Sequence, residues 1–327
     1  MPYPTITERP GSLSATGLAV ETSFGTPVAA TTFLPMTSNG MEYDSGWFSP
    51  TLMMGDRDKQ IFNLQGEAKN IGTIEGPLFP SNAIPLLVAA IGTDAVTGTA
   101  APYTHTISQA NTLASLTVEK NLGNYQSLQF AGCRVGKFSV KAPVGNDPVM
   151  ISADMSGQSV AILTSPTAIS VTNELPWVFS EASLTLGGNA RADVTNVQID
   201  IDNGLKETWT YSGNHGPSFI TPVSLHVSGT IDVVWSSLNA ATYGDFTTME
   251  NLTLGALSVS FTHPGGGGYS VTFNMPQVVL SKYSSDLKFD DVIMSSMSFE
   301  SSRPLTGGSQ YSIQAVVTNQ VSTQYTG

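Results

Sequence analysis

The chain has 327 residues, enough for about two units of ~150 residues, each able to bury its own core. Charged residues make up only 12% of the chain, about half of the usual ~25%, and the formal net charge is −12. Because binding to phosphates needs lysine and arginine, this balance argues against nonspecific binding to nucleic acid or to an acidic membrane, and the single cysteine, Cys133, excludes an intramolecular disulfide.

The N-terminal part of the chain combines a polar segment with an unusually apolar loop. Residues 1–32 are rich in Thr, Gly and Pro, which predicts an arm outside any core. Residues 44–59 carry the large side chains Trp47, Phe48, Met53 and Met54 between turn residues. Long apolar loops need to be covered, so we expect this loop either to contact a neighbouring molecule or to fold back over its own domain.

The run Ile84–Ile91 predicts a short α-helix. Ser81 or Asn82 can cap its N-terminus, Pro85 is tolerated in the first turn, and Gly92 can end it. Burial of each large apolar side chain contributes ~1.5–3 kcal/mol, so we expect this helix to pack onto a sheet.

Most of the remaining chain alternates apolar and polar residues with period two, which is typical of half-buried antiparallel strands. The predicted inward positions are Phe138, Val140, Val149, Ile151, Ala153, Met155, Val197, Ile199, Ile201, Leu257, Val259 and Phe261. The predicted fold class is all-β with short flanking helices, arranged as two tandem antiparallel β-sandwich or barrel domains.

Residues 164–176, with two prolines, predict an interdomain linker. We place the first β domain at residues 33–165, the linker at 166–176 and the second β domain at 177–327. In the second domain, residues 205–222 form another apolar loop, with Trp209, Tyr211 and Phe219.

The second half repeats the order of elements of the first half. A strand that reaches a glycine, Gly66 or Gly229, precedes a short helix, which we expect at Leu238–Tyr243 in the second half. Three further strand segments then follow in each half. The repeat distance of ~140 to 165 residues is too long for a solenoid and predicts duplicated domains.

The sequence offers little for catalysis. The histidines His105, His215, His226 and His263 are scattered, with no pair at the spacing of metal ligands. There is no Gly-x-Ser-x-Gly motif, and the glycines at 265–268 lack the Lys-Ser/Thr of a phosphate loop. We therefore predict no catalytic residue, no metal, no cofactor and no enzymatic activity.

Several segments carry a family resemblance. They are Gly-Leu-Ala-Val-Glu-Thr-Ser-Phe-Gly-Thr-Pro-Val at 17–28, the stretches 66–72, 76–78 and 86–92, Phe-Ala-Gly-Cys-Arg-Val-Gly-Lys-Phe-Ser-Val at 130–140, and the stretches 149–157, 179–186 and 197–204. Together they resemble the tail tube proteins, or major tail proteins, of long-tailed bacteriophages, in the form with duplicated domains.

The resemblance implies a structural virion protein that polymerises into the phage tail tube, a conduit for genome delivery into the host. It implies homotrimeric rings with pseudo-sixfold symmetry, built in the host cytoplasm and stacked into a tube. The implied partners are further copies of the chain, the tape-measure protein, and tail terminator and tip proteins. DNA would pass through without specific binding, and no membrane is involved.

Two sets of residues become predicted sites under this interpretation. We predict contacts between rings at Trp47, Phe48, Met53, Met54, Trp209 and Tyr211. We predict an acidic lumen with Glu67, Asp154, Asp200 and Asp202, because carboxylates repel phosphates whereas lysines would hold them. In the alternative, the acidity lies outside and serves only solubility.

Two other functions compete with a tail tube subunit. The first is another virion component, a neck or head decoration protein. The second is a carbohydrate-binding adhesin, which should carry clustered exposed aromatics with paired Asn and Asp, and usually a secretion signal. Residues 1–5 lack the basic and apolar pattern of a Sec signal.

Overall fold

The computed structural model describes residues 8–55, 57–60, 62–236, 244–287, 289–307 and 309–325. This part of the chain is mostly β-strand, with α1 (Ile84–Ile91), α2 (Asp245–Glu250) and 3-10 turns at Gly11–Leu13 and Phe179–Glu181. The strands are β1 (Ala15–Val20), β2 (Thr32–Leu34), β3 (Ser38–Asn39), β4 (Glu42–Asp44), β5 (Trp47–Phe48), β6 (Leu64–Gln65), β7 (Lys69–Pro77), β8 (Gly92–Thr97), β9 (Tyr103–Gln109), β10 (Leu116–Leu122), β11 (Gln126–Pro143), β12 (Met150–Gly157), β13 (Ser159–Leu163), β14 (Ala182–Leu186), β15 (Asn189–Arg191), β16 (Val194–Asp202), β17 (Leu205–Thr208), β18 (Phe219–Pro222), β19 (His226–Val234), β20 (Gly255–Thr262), β21 (Ser270–Asp286), β22 (Met294–Ser301) and β23 (Gln314–Asn319).

The all-β class is confirmed, and so is the strand alternation. Every predicted inward position is buried in one hydrophobic cluster that joins α1 with strands of both halves. The predicted helix at Leu238–Tyr243 lies outside the described residues. The prediction from alternation is correct because successive side chains of a strand point to opposite faces of the sheet. When one face packs on the core, every second side chain is buried and the others face outward.

The strands pair antiparallel throughout. A central sheet runs from β3 and β4 through β7, β12, β11, β16, β19 and β22 to β21. The long strands β11 and β21 also pair elsewhere: the first part of β11 lies between β10 and β13, and the first part of β21 lies between β20 and β23. The two halves meet where β11 pairs with β16 and where β9 pairs with β23. The domain boundaries stay a prediction.

The two halves repeat their pairing register, including its irregularities. Four of the five β-bulges in the described strands lie between Leu116 and Val118, Gly255 and Leu257, Val135 and Lys137, and Leu280 and Lys282. Each bulge of the first half therefore has a counterpart in the second. The last pair of bulges makes Lys137 and Lys282 equivalent positions. The fifth bulge, between Val194 and Asn196 in the second half, has no counterpart among the described pairings of the first half.

Gly72 and Gly229 are also equivalent. Gly72 lies opposite Met155 in β12, and Gly229 lies opposite Phe299 in β22, each beside the bulge of the long strand. A Cβ on Gly72 would lie 2.5 Å from the carbonyl oxygen of Gly40, and one on Gly229 would overlap neighbouring backbone. The predicted equivalence of Gly66 with Gly229 is therefore wrong by six residues. Strands of similar composition can be matched only through their hydrogen-bonded partners, which the sequence does not show.

The predicted helix is confirmed, with all of its residues buried. Its predicted cap is wrong: the N-cap residue is Ala83, and no side chain caps the helix. Ser81 donates its hydroxyl and its N–H to the carboxylate of Glu174, at 2.6 and 2.9 Å, and Asn82 donates to the carbonyl of Thr172 at 3.1 Å. Both residues thus hold the predicted linker, whose residues 166–177 form neither helix nor strand.

Part of the predicted arm belongs to the core. β1 pairs with β10 and β2, and Leu18 in β1 is fully buried. The expectation that residues 1–32 lie outside the core is therefore wrong for this strand. Its composition misled because Gly, which is rare in strands, also occupies strand positions covered by neighbours, whereas Thr is itself common in strands.

A buried carboxylate fixes the end of β1. Glu21 accepts hydrogen bonds from the hydroxyls of Ser115 and Thr117, at 2.7 and 2.8 Å, and from the N–H groups of Gly25 and Gly132, at 2.9 and 2.8 Å. Only 6% of Glu21 is exposed. Four donors on one carboxylate offset the cost of burying its charge.

Candidate functional site

One face of the central sheet packs on the core, and the opposite face is polar and exposed to varying degrees. We call this opposite face the polar sheet face. It consists of Thr73, Glu75, Lys137, Ser139, Lys141, Met150, Ser152, Asp154, Asn196, Gln198, Asp200, Asp202, His226, Ser228, Thr230, Asp232, Lys282, Ser284, Ser296, Ser298 and Glu300. None of these residues is buried. Met150 among them is apolar, and the apolar Ile71 of β7, 38% exposed, lies on the same face.

Acidic groups outnumber bases on the polar sheet face: it holds six carboxylates against three lysines. Neutral donors hold most of the carboxylates. Thr73 donates to Asp154 at 2.6 Å, and Ser139 donates to Asp200 at 2.5 Å. Lys137 lies 3.7 Å from Asp202, with both side chains largely exposed, so this ion pair leaves the excess of negative charge in place.

Three of the four predicted lumen acids lie together on the polar sheet face: Asp154, Asp200 and Asp202. Glu67 is exposed but lies two residues before β7, outside the paired rows. Sequence reasoning missed Glu75, Asp232 and Glu300, which the structure brings onto the same face. The signal that could have found them is the period-two alternation of β7, β19 and β22.

The first apolar loop forms what we call the exposed hairpin, β5 and β6 with the described residues between them. Its large side chains reach into solvent. The exposed fraction is 57% for Trp47, 50% for Phe48, 103% for Met53 and 58% for Met54. In the isolated chain the hairpin therefore does not bury these side chains on its own core.

The second apolar loop forms what we call the crossing hairpin, β17 and β18 with the residues between them. It reaches over to the first half: the carbonyl of His215 accepts from the Ala68 N–H at 2.9 Å. Trp209 is half-buried and donates its indole N–H to the carbonyl of His215 at 3.2 Å. Tyr211 at the tip is fully exposed. Of the two predicted contact residues on this hairpin, only Tyr211 is free of packing within the chain.

The buried titratable groups His105 and Cys133 have structural roles. His105 is fully buried, with Nδ1 2.8 Å from a carboxylate oxygen of Asp94 and Nε2 2.9 Å from the carbonyl of Val321. Burial lowers the pKa of His105, but its bonds to Asp94 and Val321 outweigh burial, so the net shift is upward. Burial raises the pKa of the Cys133 thiol, which keeps it protonated and unreactive. Within the described ranges, no three His, Cys, Asp or Glu side chains converge in a way that could hold a metal ion.

The family model described as phage tail tube protein matches residues 11–319, nearly the whole chain. The chain belongs to this family. No curated protein matches the sequence.

Membership of the tail tube family makes the chain a structural component of a phage tail. The family is one of structural rather than enzymatic proteins, and its name implies self-assembly into a tube. In the described part of the chain, neither helix has the length and apolarity that a membrane crossing requires. The surfaces of interest on a tail tube protein are therefore those that face other copies and the contents of the tube.

Proposed function

We propose that three chains close a ring, that rings stack into the tail tube, and that the genome is delivered through it. The observation that carries this proposal is the polar sheet face, a single surface to which both halves contribute equivalent strands. Two similar halves per chain give six similar units in a ring of three. A heterologous contact between chains generates a ring when its rotation closes.

In this assembly the polar sheet face lines the lumen. DNA must slide past the wall without resting on it, and lysines would hold phosphates with salt-dependent affinity. Carboxylates held by neutral donors, such as Asp154 and Asp200, keep their repulsion for phosphate. Serine and threonine fill most remaining positions, so the wall offers no continuous track of bases for DNA to follow.

The exposed hairpin and the tip of the crossing hairpin form the contacts between rings. Trp47, Phe48, Met53, Met54 and Tyr211 supply large apolar surfaces that the isolated chain leaves in water. Flexible methionines adapt to a partner surface, which suits a contact repeated at every ring. Trp209 helps to hold the crossing hairpin together through its hydrogen bond to the carbonyl of His215.

The same assembly implies further partners. The tape-measure protein occupies the lumen before the genome does, and terminator and tip proteins close the two ends of the tube. Assembly takes place in the host cytoplasm, and no specific binding of DNA is involved. The adhesin and decoration alternatives are less well supported, because the family match covers both halves.

Charge reversal on the polar sheet face tests the lumen. We expect wild-type tubes to retain no DNA duplex at low salt, whereas tubes with Glu75→Lys, Asp154→Lys and Glu300→Lys retain duplex that salt releases. The matched control reverses three exposed acids elsewhere, Asp147, Glu181 and Glu250. Equal retention by the control tubes, or none by the first variant, would refute a lumen at this face.

Substitution of the exposed hairpin tests the contact between rings. The variant Trp47→Ser with Met53→Ser should still form rings in negative-stain images but no tubes, because it removes the apolar anchors. Leu305→Ser, at a side chain that is 95% exposed elsewhere, is the control and should assemble normally. Normal tubes from the hairpin variant would contradict the proposed contact. If the wild-type chain forms neither rings nor tubes at high concentration, the proposed function fails.

A further inference from the structure

The central sheet ends in two open edges. The second part of β21 pairs with β22 on one side, and no described residue pairs with its other side. At the opposite end, β3 and β4 pair with β7 on one side only. An open strand edge presents unpaired N–H and C=O groups, which makes it a template for another strand.

The chain already contains one strand pairing of the kind that would close these edges, and we call this pairing the joint. Within the chain, the second part of β11 pairs with β16, and Lys137 lies opposite Asp202 while Ser139 lies opposite Asp200. This joint links the end of the first half to the start of the second. The same joint is missing between the end of the second half and the start of the first.

The matching bulges show which residues would pair in an equivalent joint between two copies of the chain. The bulge of β21 makes Lys282 equivalent to Lys137 and Ser284 equivalent to Ser139. The glycines of β7 and β19 make β4 equivalent to the end of β16, so Glu42 corresponds to Asp200 and Asp44 to Asp202. The residue types agree at each position: a lysine, a serine and two acids.

We propose that the second part of β21 adds, antiparallel, to β4 of a second copy of the chain, with Lys282 opposite Asp44 and Ser284 opposite Glu42. This inference rests on the proposed ring and names the contact that closes it. The new residue pairs between the two strands continue the polar sheet face from one copy to the next. Opposite charges at Lys282 and Asp44 favour this register, as those at Lys137 and Asp202 do within the chain.

Burial supports the same partner. Ile201 lies in the joint within the chain and is 1% exposed. Tyr43, at the equivalent position of β4, is 47% exposed. In the proposed register Tyr43 lies opposite Tyr283, as Ile201 lies opposite Phe138. A second copy would therefore cover an aromatic side chain that the isolated chain leaves half in water.

Two side chains occupy part of the β4 edge in the isolated chain. Lys120 donates to the Met41 carbonyl at 3.0 Å, and Asn39 accepts from the Met41 N–H at 3.1 Å. Such side-chain bonds protect an open strand edge against nonspecific pairing with other strands. In the proposed register the incoming strand exchanges them for backbone bonds.

Cysteine pairs test the register directly. In the ladder between β11 and β16, the Asn203 N–H donates to the Gly136 carbonyl, so these two residues form a hydrogen-bonded pair. Hydrogen-bonded and non-hydrogen-bonded pairs alternate along an antiparallel ladder, which makes Ser139 and Asp200 a non-hydrogen-bonded pair. Side chains are closest in such pairs, which suits a disulfide. The pair Ser139→Cys with Asp200→Cys is the positive control and should close within one chain. The native Cys133 is buried and gives little background.

The test variant carries Glu42→Cys and Ser284→Cys. After mild oxidation of assembled protein, we expect covalent trimers on a non-reducing gel. Mixing the two single variants should give covalent dimers. The register control, Glu42→Cys with Lys282→Cys, places the thiols about 7–8 Å apart on the diagonal and should cross-link several-fold less. Equal or stronger cross-linking in the register control would overturn the proposed pairing.

A charge exchange provides the second measurement, in case the cysteine variants fold poorly. Lys282→Asp should raise the concentration needed for ring assembly by about fivefold or more, because like charges then face each other. Adding Asp44→Lys should restore assembly to within about twofold of wild type. Normal tubes without cross-links, and without rescue by the exchange, would overturn this pairing and leave the proposed function standing. Absence of any wild-type assembly would overturn both.

Discussion

The buried carboxylate of Glu21 provides a sharp test of what fixes the N-terminal segment. Glu21→Gln keeps the shape of the side chain and removes its charge, so it opens no cavity. Each carboxylate oxygen accepts one hydroxyl and one backbone N–H, from Thr117 and Gly132 on one side and from Ser115 and Gly25 on the other. The hydroxyls can turn to accept from an amide, but the N–H groups cannot.

The magnitude follows from this geometry. Whichever oxygen the amide nitrogen replaces, one backbone N–H loses its acceptor, either the buried one of Gly132 or the partly buried one of Gly25, at a cost of about 1–3 kcal/mol. The remaining bonds lose their charge assistance, which is worth roughly 1 kcal/mol each, while the smaller desolvation of a neutral group offsets part of that loss. We expect the free energy of unfolding to fall by about 2–4 kcal/mol.

The assay is urea unfolding followed by tryptophan fluorescence, with Glu250→Gln as the control. Glu250 is exposed at the end of α2, so its variant should stay within about 0.5 kcal/mol of wild type. An unchanged unfolding midpoint for Glu21→Gln would refute the reasoning, because it would mean that the four bonds contribute nothing beyond what a neutral amide supplies.

Three further predictions concern other buried contacts. Arg191→Lys should lower the free energy of unfolding by about 2–4 kcal/mol, as measured by urea unfolding, because a lysine cannot reproduce the bidentate bonds that hold Asp245 at the start of α2. The raised pKa of His105 stabilises the fold fully below its ordinary value of 6.5, and this stability is lost as pH rises through the raised value. Urea midpoints from about pH 5 to about pH 9 should therefore fall less steeply in His105→Gln, and identical slopes would contradict a charged His105–Asp94 pair. Gly229→Ala should give mostly insoluble protein or a melting temperature several degrees lower, because its Cβ would overlap the neighbouring strand backbone, and a wild-type melting curve would show that the strands can separate at no cost.

The sequence alone determined those features that depend on neighbours in the chain. Period-two alternation predicted the inward residues of β11, β12, β16 and β20, because a strand on a core must separate apolar and polar side chains. The apolar run after Pro80 predicted α1. The composition of residues 44–59 predicted an apolar loop that needs to be covered, but not that it forms a hairpin or that the isolated chain leaves it exposed. The sequence identified Asp154, Asp200 and Asp202 as candidates because each lies on the polar side of an alternating strand, and the structure places all three on one face.

Which strands lie beside one another becomes clear only from the folded chain. Ser81 and Asn82 are good capping residues by sequence, yet their donors bind Glu174 and Thr172 from a distant segment. The pairing of β11 with β16 and the open edge of β21 follow from long-range register, which leaves no periodic signal in the sequence. A local pattern reports which side of a strand is buried. The identity of the neighbouring strand is decided by backbone hydrogen bonds that many sequences can make equally well.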